Sequence, residues 1–167
     1  IIAASEYDVA MSTDQKSNNR GQATITKYDN IAEVSETETE TVQYILLEEG
    51  AVANTYAFNV GNGYLYAASS GSNYLRTETT LSANSSWKIE ISGGPNNSAS
   101  IVAQGSNTRN VMQYNQSSSL FSCYGSGSQK ALALYVGVDP STVVKKTPLA
   151  TPTVTATVDV NKVTVSW

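Results

Sequence analysis

The chain has 167 residues, with 10 basic and 14 acidic side chains, a formal charge of −4 and no histidine. That length holds one ordinary domain plus a remnant, with a core that needs no staples. The charge pattern argues against a nucleic-acid partner, because Lys and Arg do not cluster and the Glu36–Glu40 stretch would repel phosphate.

Only 14% of residues are charged, and Ser, Thr, Asn and Gly fill the gap. A polar, uncharged surface of this kind suits a secreted or surface-attached protein. The single cysteine, Cys123, allows no internal disulfide. It lies in the apolar run Leu120-Phe121-Ser122-Cys123-Tyr124 and reads as a small buried hydrophobe rather than a reactive thiol. No apolar run approaches the roughly twenty residues of a membrane span. A chain that opens on Ile1-Ile2-Ala3-Ala4 reads as one trimmed of any export signal.

Helical periodicity is weak, and Gly and Ser punctuate the chain at the spacing of a many-stranded β domain. In the first block, Ile1–Ala4 and Tyr7–Met11 read as strands, followed by a polar loop over Asp14–Gly21. Gln22–Lys27 and Ile31–Val34 pair across Tyr28-Asp29-Asn30. Alternating Glu and Thr over Glu36–Thr41 reads as a solvated strand or loop edge leading into a strand over Val42–Leu47. In the second block, Tyr56–Val60 and Tyr64–Ala67 flank Gly61-Asn62-Gly63, a hairpin signal because Asn and Gly tolerate positive φ. Tyr74–Thr77 follows, then a turn over Ser82–Ser85 into Trp87–Ile91, whose Trp opens a buried strand. In the third block, Ala99–Gln104, Asn110–Tyr114, Leu120–Tyr124 and Ala131–Val136 repeat the theme.

Each block carries about four short strands. Taking Ile45, Ile89 and Leu132 as equivalent, the spacings are 44 and 43 residues. A near-constant period of this size marks a repeated unit. The predicted fold is therefore all-β: a β-trefoil-like closed barrel over residues 1–138, with three repeats of about four strands. A β-sandwich is the alternative. Residues 139–151, bounded by Pro140 and Pro148, read as a linker. Residues 152–167 form two alternating strands ending in Trp167, which resemble the first hairpin of a fibronectin type III or other immunoglobulin-like domain. They read as such a domain cut short.

Three stretches carry a family resemblance: Gly63-Tyr64-Leu65-Tyr66-Ala67-Ala68-Ser69-Ser70 with Asn73-Tyr74-Leu75; Ser86-Trp87-Lys88-Ile89; and Ser100–Gly105 with Leu120–Tyr124. They resemble a recurring domain of secreted multidomain proteins of gut Bacteroidetes, over most of residues 1–138. The resemblance implies an exported accessory module beside immunoglobulin-like or catalytic domains. It implies no established ligand and carries over no functional residue. The layout also resembles ricin-type and other sugar-binding trefoils, without their repeated Gln-x-Trp signature.

Catalysis finds little support. Serines abound, but no histidine exists to activate one, and neither a Gly-x-Ser-x-Gly elbow nor a phosphate loop is present. The carboxylates Asp8, Glu33, Glu48, Glu49, Glu78 and Glu90 read as solvated. No metal site and no cofactor is expected; Asp14 with Asn18-Asn19 lacks the ligand density of a calcium loop.

The ten tyrosines are the better lead. Tyrosine has a broad apolar face and a polar tip, so it stacks on sugar rings and equally caps barrel rims. If Leu65 points inward, Tyr64 and Tyr66 point outward, and Tyr74 with Arg76 does the same around Leu75. Arg109, Asn110 and Gln113 with Tyr114 could hydrogen-bond sugar hydroxyls. The expected function is non-catalytic: recognition of a carbohydrate or cell-surface ligand by a secreted or cell-surface module. The alternatives are a structural spacer that docks only on neighbouring domains of its own chain, and a regulatory domain of a larger secreted enzyme.

Overall fold

The computed structural model describes residues 1–28, 30–35, 37–92 and 97–137, and the backbone of 155–159 and 162–166. It divides into two compact units, Ile1–Gly137 and Val138–Trp167. In the first unit, β1 (Ile2–Ala4), β2 (Val9–Lys16), β3 (Asn19–Thr24), β4 (Thr26–Tyr28), β5 (Ile31–Glu33), β6 (Leu46–Glu49) and β7 (Tyr56–Asn59) come first. They are followed by β8 (Tyr64–Ala67), β9 (Leu75–Glu78), a 3-10 turn over Ala83–Ser85, β10 (Trp87–Ile91), β11 (Ser98–Ala103), β12 (Val111–Asn115), β13 (Leu120–Tyr124) and β14 (Leu132–Leu134).

The strands pair in the order β12-β13-β3-β2-β1-β14-β11, and β11 also pairs with β12 through Val102 opposite Val111. The path thus returns to its start, and these seven strands form a closed antiparallel barrel. A closed circuit is a barrel, not the two stacked sheets of a sandwich, and it removes free edges within the ring. From β11 the sheet continues through β10, β7, β8 and β9, with β6 beside β7, while β4 and β5 form a separate hairpin.

The alternation of side chains explains why these residues make strands. On β11, Ala99, Ile101 and Ala103 point into the core and Ser100 points out. On β8, Leu65 and Ala67 are buried while Tyr64 and Tyr66 are half-exposed. Trp87, fully buried at the start of β10, anchors the main cluster with Phe58, Leu65, Leu75, Ile101, Met112, Phe121 and Leu132. Its ring lies 6.0 Å from that of Phe58, and its indole N–H donates to the Leu65 carbonyl at 3.0 Å. Burying a side chain of this kind contributes about 2–3 kcal/mol, provided the polar tip finds a partner. Ala3, Ala10, Ala23, Ile25 and Val42 make a smaller second cluster.

Three elements differ from the sequence reading. The strand expected over Gln22–Lys27 is split: Gln22–Thr24 belongs to β3 and pairs with β2, and Thr26–Tyr28 pairs with Ile31–Glu33. The expected loop over Asp14–Gly21 is largely strand: β2 runs to Lys16 and β3 begins at Asn19, joined by a turn in which Ser17 takes φ 57°. Small polar residues make that tight reversal possible. The strand expected over Val42–Leu47 begins only at Leu46. β2 breaks register between Met11 and Gln15, and this irregularity presents Ser12 to Val42 as an isolated bridge. Residues 37–41 form turns, with the Thr41 and Val42 N–H groups both donating to the Glu38 carbonyl at 3.0 Å.

In the second unit, β15 (Thr155–Asp159) and β16 (Lys162–Ser166) form an antiparallel hairpin from Thr155 opposite Ser166 to Asp159 opposite Lys162. The expected linker over 139–151 and Trp167, the end of the expected second strand, lie outside the described residues.

Candidate functional site

The β8–β9 hairpin gathers half of the expected site residues. Tyr64 stands opposite Glu78 and Tyr66 opposite Arg76, and directly opposed residues project to the same face. Tyr74 leads into β9, and the Arg76 guanidinium lies 4.8 Å from the centre of its ring. Three tyrosines and an exposed arginine therefore share one outward face, while Leu65, Ala67 and Leu75 are buried beneath. The turn before this hairpin fixes its place. Gly63 takes φ +147°, and a Cβ there would sit 2.4 Å from the Glu78 carbonyl oxygen, so only glycine fits.

β9 is held by the tip of the β2–β3 hairpin. The Leu75 N–H donates to the Asn18 carbonyl at 3.0 Å and to Asn19 Oδ1 at 3.1 Å. Gln15 Nε2 donates to the Asn19 carbonyl at 2.9 Å, and Arg76 Nη2 donates to Asn18 Oδ1. Between the two hairpins lies a depression of about 290 Å³ lined by Thr13, Gln15, Ser17, Arg20, Asn62, Arg76 and Thr77. Every one of these side chains can form hydrogen bonds.

Arg20 forms the floor and is only 4% exposed. Its Nη1 donates to the Thr13 carbonyl at 3.0 Å and to Gln43 Oε1 at 3.4 Å. Its Nη2 donates to Thr77 Oγ1 at 2.7 Å. Its Nε is buried without a partner. Desolvation lowers its pKa, and the charge of Asp14 opposes that shift; an arginine stays protonated regardless. The ion pairs found among the described residues join Lys16 to Asp14 at 3.8 Å and Lys88 to Glu90 at 2.7 Å, and neither involves Arg20 or Arg76.

The other expected residues are committed to the fold. Tyr114 is 3% exposed and Gln113 is 7% exposed, which corrects their expected place on an open surface. Tyr114 packs 5.1 Å from Phe121 and 5.8 Å from Tyr7 by ring centres, and its hydroxyl donates to Gln22 Oε1. Gln113 exchanges bonds with the backbone of Gln129, donating at 3.2 Å and accepting at 3.3 Å. Arg109 is partly buried and donates to Asn73 Oδ1 at 2.7 Å. Asn110 donates to the Ala103 carbonyl at 3.0 Å. On the β8–β9 face itself, the Tyr64 hydroxyl donates to Glu48 Oε2 at 3.2 Å, and that bond raises its pKa.

Sequence reasoning missed Arg20, Gln15, Thr13, Ser17 and Thr77 as site residues. They sit in or against a stretch whose polarity reads as loop. Gly21 is the retrospective signal, since a Cβ there would lie 2.8 Å from Ser12 Oγ. A larger trough of about 490 Å³ runs beside Glu90, Ile91, Ala99, Val111 and Met112. Its lining is mainly apolar and offers neither a cation nor an aromatic face.

Among the described residues no group of three or more Cys, Asp or Glu side chains is placed to hold a metal ion. No described helix is long and apolar enough to cross a membrane. Cys123 is fully buried, and desolvation pushes its thiol pKa far up. No protein-family model, curated protein or solved structure matches the chain.

Proposed function

We propose that the first unit is a non-catalytic, β-trefoil-like accessory module of a secreted or surface protein, and that it binds glycans through the β8–β9 face. Four features support the trefoil reading. The hairpins β2–β3, β8–β9 and β12–β13 recur at similar points of the chain. The strands β1, β14, β11, β10, β7 and β6 pair in succession. The bridge from Ser12 to Val42 spans the remaining gap. Ile45, Ile89 and Leu132, one from each block, all pack in the main cluster.

One observation carries the binding reading: Tyr64, Tyr66, Tyr74 and Arg76 share an exposed face beside a depression lined wholly by hydrogen-bonding side chains. Aromatic faces complement the C–H faces of sugars, and amides and hydroxyls complement their hydroxyls. So open a site gives weak affinity, because its few contacts must offset the freedom lost on binding. Neighbouring copies would compensate through effective concentration. A glycan array probed with the 167-residue chain and its Tyr74→Ala variant tests this. Binding by the first and its loss in the second is expected; silence across plant, mucin and microbial glycans would overturn it.

A second reading, a spacer that docks on its neighbours, draws on the internal commitments of Arg109, Asn110, Gln113 and Tyr114. It becomes the better account if the array is silent.

A further inference from the structure

The depression between the β2–β3 and β8–β9 hairpins has an electrostatic peculiarity. Its lining carries two guanidinium groups, Arg20 and Arg76, and no carboxylate. The nearest acid to act on Arg20 is Asp14, which is itself within 3.8 Å of Lys16. A buried charge without a counter-ion is costly. Thr13, Gln43 and Thr77 offer Arg20 only neutral oxygens. Its Nε–H is buried with no acceptor at all, so no bonded anion offsets its charge, which acts on the depression above as a field. Low-dielectric walls around like charges concentrate their field at the opening.

Arg76 connects this pocket to the tyrosine face, since it lines the depression and also lies over the Tyr74 ring. We infer that the site selects acidic glycans: a sugar stacks on the tyrosine face while its carboxylate or sulfate enters the depression, meeting Arg76 at the rim and the field of Arg20 below. This rests on the glycan-binding reading above and names its ligand class.

The test uses the whole 167-residue chain and matched glycan pairs: uronic-acid oligosaccharides against their methyl esters, and sulfated oligosaccharides against their desulfated forms. The charged member of at least one pair is expected to bind tenfold tighter or more, about 1.4 kcal/mol. The pair that shows the preference identifies the acid. The preference is expected to shrink with added salt and to vanish in Arg76→Gln, an exposed position whose substitution is expected to leave the circular dichroism spectrum unchanged. Arg20→Lys, which keeps the charge that sets the field, is expected to retain the preference. Equal affinity within every pair, or a preference that survives Arg76→Gln, would overturn the inference and leave glycan binding standing. Binding to no member of any pair, charged or neutral, would overturn both.

Discussion

The β8–β9 and β12–β13 hairpins carry the same kinds of residue and use them in opposite ways. Each offers tyrosine, arginine and amide side chains on or beside two short strands. In β12–β13 those groups are absorbed: Met112, Gln113 and Tyr114 are buried in sequence, as are Phe121 through Tyr124. In β8–β9 only Leu65, Ala67 and Leu75 are buried, and the tyrosines face outward. The difference lies in the neighbours. β12 and β13 belong to the closed ring, with Tyr7 and Lys130 packed across their face. β9 ends the sheet path, with no further strand paired on its outer side, and is held there by hydrogen bonds with β2–β3. Residue type makes a side chain capable of binding; position in the ring decides whether it is available.

The contrast can be tested most strongly with its two tyrosines. Tyr114→Ala is expected to cost about 3–5 kcal/mol in chemical unfolding, as for other buried rings. Tyr74→Ala is expected to cost under about 1 kcal/mol while abolishing glycan binding. Equal losses would mean that Tyr74 packs as Tyr114 does. Next in size is Gly63→Ala, which forces a side chain into positive φ against the Glu78 carbonyl. A loss of about 1–3 kcal/mol is expected, with binding weakened because the turn sets the hairpin; unchanged stability would show that β8–β9 is not fixed from that turn. The arginines come third. Arg109→Gln strips Asn73 of its donor and is expected to cost about 1 kcal/mol, whereas Arg76→Gln stays within about 0.5 kcal/mol of the parent. Reversed values in thermal melts would invert the assignment of the two hairpins.

The smallest effect concerns Cys123 on β13. Its thiol is raised by burial, so in the unfolded chain it ionises first, above about pH 8.5. The folded state then binds the extra proton, and stability falls as pH rises beyond that point, with nothing lost below it. Cys123→Ala is expected to flatten that decline. Native protein is expected to resist alkylation at pH 8 until denatured; rapid labelling would show that β13 opens readily.

The sequence made much of the architecture legible, for a physical reason. Period-two patterns such as Tyr64–Ala67, and turns such as Gly61-Asn62-Gly63, are local signals that survive in any β context. The outward set of Tyr64, Tyr66, Tyr74 and Arg76 followed from one inward leucine on each strand. Tyr114 and Gln113 could not be placed this way, because β12 is covered on both faces, with Met112, Gln113 and Tyr114 all buried, and there alternation no longer reports exposure. Arg20 was invisible for the converse reason: its burial depends on Thr77 and Gln43, 57 and 23 residues away.

The pairing of β1 with β14 has a mechanical consequence. The Ile1 amino group meets the Tyr135 carbonyl at 2.8 Å, and the pairs Ile2–Leu134, Ala3–Ala133 and Ala4–Leu132 follow inward in that order. Tension applied through residues 1 and 135 would therefore peel these rungs apart one after another, as a zipper opens, instead of shearing them together. Under stretch the seam yields rung by rung, so the module gives way gently where a shear-loaded sheet would resist and then snap.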